Sequence, residues 1–372
     1  MFAYFIIWII EFFTNKKSIN ELFCKPFYFI VAFYLVLVIG LFITEKENIY
    51  DGLFNLQVKS SLIYMPLLVA GFSDYIKNRI KIILKIFVIS ALASSLICLI
   101  IAFYHWIIYN DHHYIYYGRL SIFNHPTYFA LYLNMALVFL ISFLKESYKN
   151  KKLRNIYFGL IVYLLGFIFL LSSKAGLITA LIIIVIYPVL ILPDNLKKIK
   201  RIYFLLMIIL SVTIAFANPR MKSLISHVKQ YDENVIKETN ESSLVRILIW
   251  KASINVIKNN YLIGVGTGDL KATMLNEYIK NGYTGAYEGE LNPHNQYLET
   301  MVANGLLGII TLIIFIFYPF IQQIKQKKYE AVFFFIIIIL NFAFESILDR
   351  QSGNMFISLF YSIFVFIKNN DL

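Results

Sequence analysis

The sequence predicts an all-α membrane protein that crosses the bilayer many times. Of its 372 residues, 59% are hydrophobic and 15% are charged, and the mean hydropathy is +0.68. A soluble domain cannot bury that much apolar surface. The aromatic content of 17% suits side chains at the membrane interfaces. We therefore attribute the net charge of +12 to membrane topology, and we expect no nucleic-acid partner.

The apolar segments set the number of crossings, since about twenty apolar residues span a bilayer and shorter or tilted helices are tolerated. On this rule the sequence predicts about 11 transmembrane helices. They cover residues 2–13, 27–43, 60–72, 82–108, 126–144, 154–172, 175–192, 202–217, 296–320, 329–344 and 354–368. The chain then divides into an N-terminal transmembrane bundle (1–216), a large outer loop (217–295) and C-terminal transmembrane helices (296–372).

Basic residues alternate between successive loops. One side of the membrane receives 20 of the 34 Lys and Arg residues: Lys16, Lys17, Lys25, Lys77, Arg79, Lys81, Lys85, Lys145, Lys149, Lys151, Lys152, Arg154, Lys197, Lys198, Lys200, Arg201, Lys325, Lys327, Lys328 and Lys368. The positive-inside rule makes that side cytoplasmic. The C-terminus is then cytoplasmic and loop 217–295 faces outward.

The same topology places the N-terminus outside, on a short first helix. We hypothesise that one further helix is missing at the start. An N-terminal reporter that proved cytoplasmic would count against this.

The large loop has its own predicted structure. Ser242 or Ser243 is suited to cap an amphipathic helix over residues 244–258, whose apolar face is expected to comprise Leu244, Ile247, Leu248, Ile254 and Ile257. Such a helix lies in the membrane interface or packs on the bundle. A second short helix is expected over residues 270–280. The segment Gly264–Gly268 superficially resembles a dinucleotide-binding fingerprint, but no strand–helix–strand unit surrounds it, so we reject that interpretation.

His294 stands where this loop meets the next membrane helix, directly after Pro293. An imidazole is largely neutral at neutral pH and accepts a proton from a hydroxyl. A polar helix cap is the alternative role, and sequence chemistry alone does not separate the two.

Two cations are candidates for binding an anionic substrate. The guanidinium of Arg246 matches phosphate oxygens, although an arginine on an amphipathic helix also snorkels to the bilayer surface. Lys174 is the one charge in a long apolar stretch, at the predicted hairpin Ser172–Lys174. Ionisable groups at membrane depth are often functional, but interfacial snorkelling also accounts for Lys174.

Other polar residues are weaker candidates. Arg119 and His125 precede the fifth predicted helix, where an ordinary helix start is the simpler interpretation. Asp111, His112 and His113 suggest a metal only weakly, since no further ligands with recognised spacing can be named. Glu345, Asp349 and Arg350 flank the last outer loop, where a structural ion pair is expected by default. No Asp-x-Asp motif occurs, which argues against a carboxylate-held metal, so we expect neither a metal nor a cofactor.

Several of these residues together resemble the signature of the O-antigen ligase and polymerase family. The motifs are Leu244-x-Arg246-x-x-Ile249-Trp250, Gly264-x-Gly266-x-Gly268, Pro293-His294-Asn295-x-x-Leu298-Glu299, Ser172-Ser173-Lys174-Ala175-Gly176-Leu177, Phe123-Asn124-His125-Pro126-Thr127-Tyr128 and Glu345-Ser346-x-Leu348-Asp349-Arg350-Gln351-x-Gly353. The family usually has arginine where this chain has Lys174.

The resemblance implies a GT-C-type membrane glycosyltransferase that acts without a metal. Its donor would be a glycan on undecaprenyl pyrophosphate at the outer face of the bacterial inner membrane. The acceptor would be lipid A–core for a ligase, or a second lipid-linked glycan for a polymerase. His294 would be the catalytic base, and Arg246 and Lys174 would bind the donor pyrophosphate. Further substrate contacts would come from Arg119, His125, Asn295 and Arg350.

Two other classes of function remain open. A transporter of polysaccharide or a small solute would show internal repeats, broken helices near the bilayer midplane and charges in mid-span. No clear repeat is visible, and the candidate polar residues cluster at the outer ends of helices. A sensor or scaffold would leave Lys174, Arg246 and His294 without a common purpose.

Overall fold

The computed structural model describes residues 22–147, 149–191, 202–205, 207–209, 213, 237 and 244–367, and every regular element in these residues is a helix. The main helices are α1 (Lys25–Phe42), α2 (Ile49–Lys59), α3 (Ser61–Gly71), α4 (Ser73–Tyr109), α5 (Pro126–Glu146), α6 (Lys151–Leu171), α7 (Lys174–Ile191), α8 (Leu244–Asn259), α9 (Leu270–Asn281), α10 (Gln296–Lys325), α11 (Tyr329–Phe342) and α12 (Gln351–Phe366).

Within the described residues, seven helical segments are long and apolar enough to cross a membrane, so the protein is a multi-pass membrane protein. They are Lys25–Phe42, Lys46–Gly71, Ser73–Tyr109, Pro126–Glu146, Lys151–Leu171, Lys174–Ile191 and Gln296–Lys325. Helix α11 is apolar but shorter. The first predicted crossing, 2–13, and half of the eighth, 202–217, lie outside the described residues. The total of 11 crossings and the three-part division of the chain therefore stay predictions.

The chain folds into two compact units. The first contains the described residues of Met1–Asn78, Ser226–Gln322 and Phe342–Asp371, and the second those of Arg79–Ile225 and Gln323–Asn341.

Helix α5 forms the centre of the second unit, since 83% of its most apolar 18-residue stretch is buried. It packs against α6 and α7. The Cβ of Ala130 lies 2.3 Å from where a Cβ on Gly176 would stand, so the two helices approach closely. The buried amide of Asn134 donates to the carbonyl of Gly176 at 3.0 Å. A polar pair thus reinforces the small-residue contact.

Aromatic packing joins three helices of the first unit. The rings of Phe33 on α1 and Phe315 on α10 stack with centroids 5.8 Å apart, and Phe315 contacts Tyr361 of α12 at 5.0 Å. Helix α12 also packs along α3, where the Tyr64 hydroxyl lies 3.2 Å from the Met355 sulfur.

The two helices predicted in the large loop are present, as α8 and α9. Their shared core is formed by Val245, Leu248, Ile249, Ala252, Val256, Met274 and Tyr278. The predicted apolar face of α8 was wrong in part, because Ile254 is 45% exposed while Ala252 and Ser253 are buried. Periodicity finds apolar positions, but in a membrane protein an apolar side chain is also stable against lipid.

Helix α10 is interrupted at Gly305, which has φ 58° and ψ −151°. The segment before α9 crosses this break. The amide of Val265 donates to Val302, that of Gly266 donates to Ala303, and that of Leu306 donates to Tyr261. Backbone groups released by the break thus regain partners, as they must away from water. The segment Gly264–Gly268 therefore has a structural role: it passes over the break in α10 and hydrogen-bonds to its backbone.

Two glycines make this crossing possible. A Cβ on Gly264, which has φ +77°, would lie 2.4 Å from the Ala303 carbonyl, and one on Gly305 would lie 2.5 Å from the Leu262 carbonyl. Positive φ also disfavours any side chain there.

We expect Gly264→Ala and Gly305→Ala each to lower the free energy of unfolding by about 1–3 kcal/mol. Thermal unfolding of detergent-purified protein measures this. Gly166→Ala on α6 is the control, because nothing lies within 4 Å of its Cβ position. If the Gly264 and Gly305 variants were as stable as the Gly166 variant, the structural role assigned to these two glycines would be contradicted.

Candidate active site

The turn from Asn292 to Asn295 carries His294 and is fixed at several points. The Asn292 side-chain oxygen accepts from the His294 amide at 3.1 Å, and the Trp250 indole donates to the Pro293 carbonyl at 3.0 Å. The Asn295 side-chain oxygen accepts from the amides of Tyr297 and Leu298, which caps α10.

His294 itself has φ +45°, in the left-handed region. That conformation costs a non-glycine residue roughly 1–2 kcal/mol. Such strain persists only where the surroundings enforce it, and it clusters at functional sites. The fixed turn therefore presents the imidazole in a defined direction.

The carboxylate of Glu345 joins the two candidate residues of the first unit. Its Oε1 lies 2.9 Å from His294 Nδ1, and its Oε2 lies 3.6 Å from Arg246 Nη2. Arg246 also donates through Nη1 to the carbonyl of Phe344 at 2.9 Å. The Glu345 side chain is only 6% exposed, whereas those of His294 and Arg246 are 23% and 21% exposed. The acid lies behind, and the base and cation remain accessible.

This arrangement selects one form of the imidazole. An ionised carboxylate accepts hydrogen bonds only. His294 then donates from Nδ1, so in the neutral ring Nε2 is the proton acceptor. A histidine oriented by a carboxylate in this way is suited to general-base catalysis.

A second charge pair, between the buried Lys59 and the partly buried Asp349, is hydrogen-bonded to this turn. Asn292 donates to Asp349 Oδ2 at 2.8 Å, while Asp349 Oδ1 lies 3.8 Å from the buried ammonium of Lys59. Lys59 also donates to Asn55 at 2.7 Å. Because Asn292 accepts a hydrogen bond from the His294 amide, this ion pair is linked to the orientation of the turn that carries His294.

Glu299 and Gln296, on the first turn of α10, are buried beside this charge pair. The Gln296 amide donates to Glu299 at 3.3 Å and accepts from the Leu348 amide at 2.7 Å. The start of α10 is thereby joined to the segment that carries Glu345 and Asp349.

Lys174 lies in the second unit, at the predicted hairpin. Helix α6 ends at Leu171, Ser172 takes a left-handed conformation with φ 47°, and α7 begins at Lys174. The Ser173 side chain accepts from the Gly176 amide at 3.3 Å. The positive end of the α7 dipole lies at this terminus, which favours an anionic ligand.

Arg119 and His125, also in the second unit, both have structural partners. Arg119 pairs with Asp111 at 2.8 Å and lies over the Tyr114 ring. The imidazole of His125 accepts from the Thr127 amide at 3.4 Å and caps α5. Asp111 also caps the His113 amide. No cluster of three or more metal-ligating side chains exists in the described part of the chain.

Asn295 and Arg350, of the first unit, also have structural roles. Besides capping α10, Asn295 donates to the Ala343 carbonyl at 3.2 Å. Arg350 is the N-cap residue of α12, and its carbonyl accepts from Asn354. Contacts of Asn295, Arg350, Arg119 and His125 with substrate stay predictions.

A protein-family model described as O-antigen ligase matches residues 159–313. These residues are an O-antigen ligase domain. The match includes Lys174, Arg246 and His294, and it confirms over this range the resemblance drawn from the motifs. The family covers ligases and polymerases, which implies a glycan-transferring enzyme. No curated protein matches the chain.

The main candidate site residue that the sequence does not indicate is Glu345. It lies 51 positions from His294 and outside the matched O-antigen ligase region. We had expected only a structural ion pair there. The available signal was the motif Glu345-Ser346-x-Leu348-Asp349-Arg350, which places a carboxylate near an outer helix end. Lys59 was not singled out either.

The Lys59–Asp349 pair should be energetically coupled. Lys59→Met leaves the partly buried Asp349 carboxylate without its cation, so we expect the free energy of unfolding to fall by about 1–3 kcal/mol. The double variant with Asp349→Asn should recover part of this loss, because neither charge remains. Denaturant titration of the purified protein measures the cycle, and strictly additive losses would contradict the coupling.

Proposed function

We propose that the protein is a membrane glycosyltransferase that moves a glycan from undecaprenyl pyrophosphate to a sugar hydroxyl, most simply an O-antigen ligase. The convergence of His294 and Arg246 on Glu345 carries this proposal. It combines an oriented base with an accessible cation, and lies within or beside the O-antigen ligase domain.

The chemistry is a direct displacement. The acceptor hydroxyl loses its proton to His294 Nε2 as its oxygen attacks the anomeric carbon. The bond from that carbon to the pyrophosphate oxygen breaks, and the electron pair leaves with the pyrophosphate. Attack opposite the leaving group inverts the anomeric configuration. Glu345 stabilises the imidazolium that forms.

Positive charge assists the leaving group. A pyrophosphate needs charge stabilisation more than protonation, and the Arg246 side chain, which is partly exposed, can supply it. Lys174 is proposed as a further donor-binding cation, and the start of α7 adds a favourable dipole there. A lysine offers a point charge rather than the bidentate fork of arginine. No metal takes part in the proposed step.

The proposed location is the bacterial inner membrane, with loop 217–295 in the periplasm and the C-terminus in the cytoplasm. This follows from the family and from the alternation of basic residues. The acceptor is lipid A–core for a ligase. A polymerase, with a lipid-linked glycan as acceptor, is the alternative within the family, because both use the same donor chemistry.

The break in α10 does not favour a transporter. Transporters use broken helices to expose backbone groups to a substrate cavity. Here the backbone groups at Gly305 bond to the crossing segment instead.

A gene deletion followed by lipopolysaccharide gel analysis tests the reaction. A ligase predicts loss of all O-chain from the core, with lipid-linked polymer accumulating. A core that carries a single repeat unit would mean polymerase instead. An unchanged lipopolysaccharide pattern would exclude both the ligase and the polymerase activity on lipopolysaccharide in that organism.

Substitutions at the proposed base should act on kcat. We expect His294→Ala to lower transfer by about 10²–10⁴, with insertion and folding retained. Glu345→Gln should also lower kcat by about 10²–10⁴, because an amide can donate to Nδ1 and reverse the tautomer. Transfer from purified lipid-linked donor measures both, and His113→Ala at an exposed position is the control.

Arg246→Lys and Lys174→Ala should instead raise the donor KM. Wild-type transfer by His294→Ala would remove the assignment.

A further inference from the structure

A cavity of about 230 Å³ lies in the first unit, beside the turn that carries His294. Its walls come from α2, from the start of α9 and from residues 290–293. Asn292 and Pro293 line it directly, and Asn292 binds the His294 amide. An occupant would therefore contact Pro293, which directly precedes the proposed base in the chain, although His294 itself does not line the cavity.

The lining of the cavity is mixed. Apolar surface comes from Phe54, which is 63% exposed, and from Leu275. Hydrogen-bonding groups come from Asp51, Asn55 and Asp349. Carboxylate and amide groups bind hydroxyls, and an aromatic ring packs against the C–H face of a sugar. The volume corresponds to roughly eight water molecules, which suits one sugar ring rather than an oligosaccharide.

The charge of the lining argues against the phosphate-bearing donor. Three carboxylates, from Asp51, Glu290 and Asp349, line the cavity with one cation, Lys271. Lys271 is already paired with Glu290 at 2.6 Å, and the hydrogen bond to that carboxylate raises the lysine pKa. These carboxylates would repel an anionic ligand, whereas a neutral or amine-bearing sugar is accepted.

We propose that this cavity binds the sugar ring of the acceptor whose hydroxyl His294 deprotonates. The proposal rests on the proposed glycosyl transfer and adds the acceptor subsite to it. Recognition would come from hydroxyl contacts to Asp51, Asn55 and Asp349, with the ring against Phe54. The pyrophosphate end of the donor is then bound elsewhere, at Arg246.

Two tryptophan variants on α9 test the subsite. Leu275→Trp places a large side chain in the cavity, whereas Ile279→Trp lies one turn later, is exposed and does not line it. In transfer assays with purified donor and lipid A–core, Leu275→Trp should raise the acceptor KM at least tenfold and leave the donor KM unchanged. Ile279→Trp should change neither. An unchanged acceptor KM in the Leu275 variant would overturn the proposal.

Direct binding separates the subsite from the reaction. Saturation-transfer NMR with free glucose, galactose, N-acetylglucosamine and galactosamine should show binding to the wild type and to Ile279→Trp, but not to Leu275→Trp. Phe54→Ala should weaken the same binding signal. This variant removes an exposed ring without overpacking the cavity, so it replaces Leu275→Trp in the test if that variant does not fold. Sugar binding without transfer would refute the proposed function and keep the subsite. Transfer without cavity-dependent sugar binding or acceptor KM would refute the subsite alone.

Discussion

The carboxylate of Glu345 is the interaction on which the proposed active site depends. One oxygen faces an imidazole and the other a guanidinium, so a single buried acid fixes both the tautomer of His294 and the position of Arg246. His294 lies on a strained turn and Arg246 lies on a separate helix, α8, and the Glu345 carboxylate contacts both. Burial of the acid strengthens both interactions, since the local dielectric constant is low.

Buried charge near this site is balanced by specific partners. Lys59 compensates Asp349, and Arg246 compensates Glu345. Removing one member of such a pair costs more than the pair contributes, because the other is left desolvated. The backbone obeys the same constraint. Where α10 breaks at Gly305, the crossing segment supplies the missing hydrogen-bond partners, so the start of α10 and its cap at Asn295 have a fixed support.

Much of this architecture could be predicted from the sequence, for identifiable reasons. The hairpin at Ser172, the helices α8 and α9 and the helix start at Gln296 follow from local turn and capping signals. His294 and Arg246 could be chosen as candidates from the sequence, because each is a side chain with a specific chemistry at an unusual position. Glu345 was not, because no local pattern shows that a residue 51 positions away faces the same imidazole.

Burial was equally hidden. Helices α5 and α6 are equally apolar, yet 83% of the apolar stretch of α5 is buried and only 22% of that of α6. Lipid and protein core are both apolar solvents for leucine, so composition cannot distinguish them.

The turn at His294 lies where three separate requirements meet. Its Asn292 end lines a cavity rich in carboxylates, its histidine faces Glu345 and Arg246, and its Asn295 end caps a membrane helix. An inverting transfer needs the acceptor and the leaving group on opposite sides of the anomeric carbon. A carboxylate-rich pocket favours a neutral acceptor, and a guanidinium favours a pyrophosphate. In the proposed transfer, the cavity and the Arg246 guanidinium would thus select different substrates, and His294, which follows Pro293 of the cavity wall and is hydrogen-bonded to Glu345, would accept the proton of the acceptor hydroxyl.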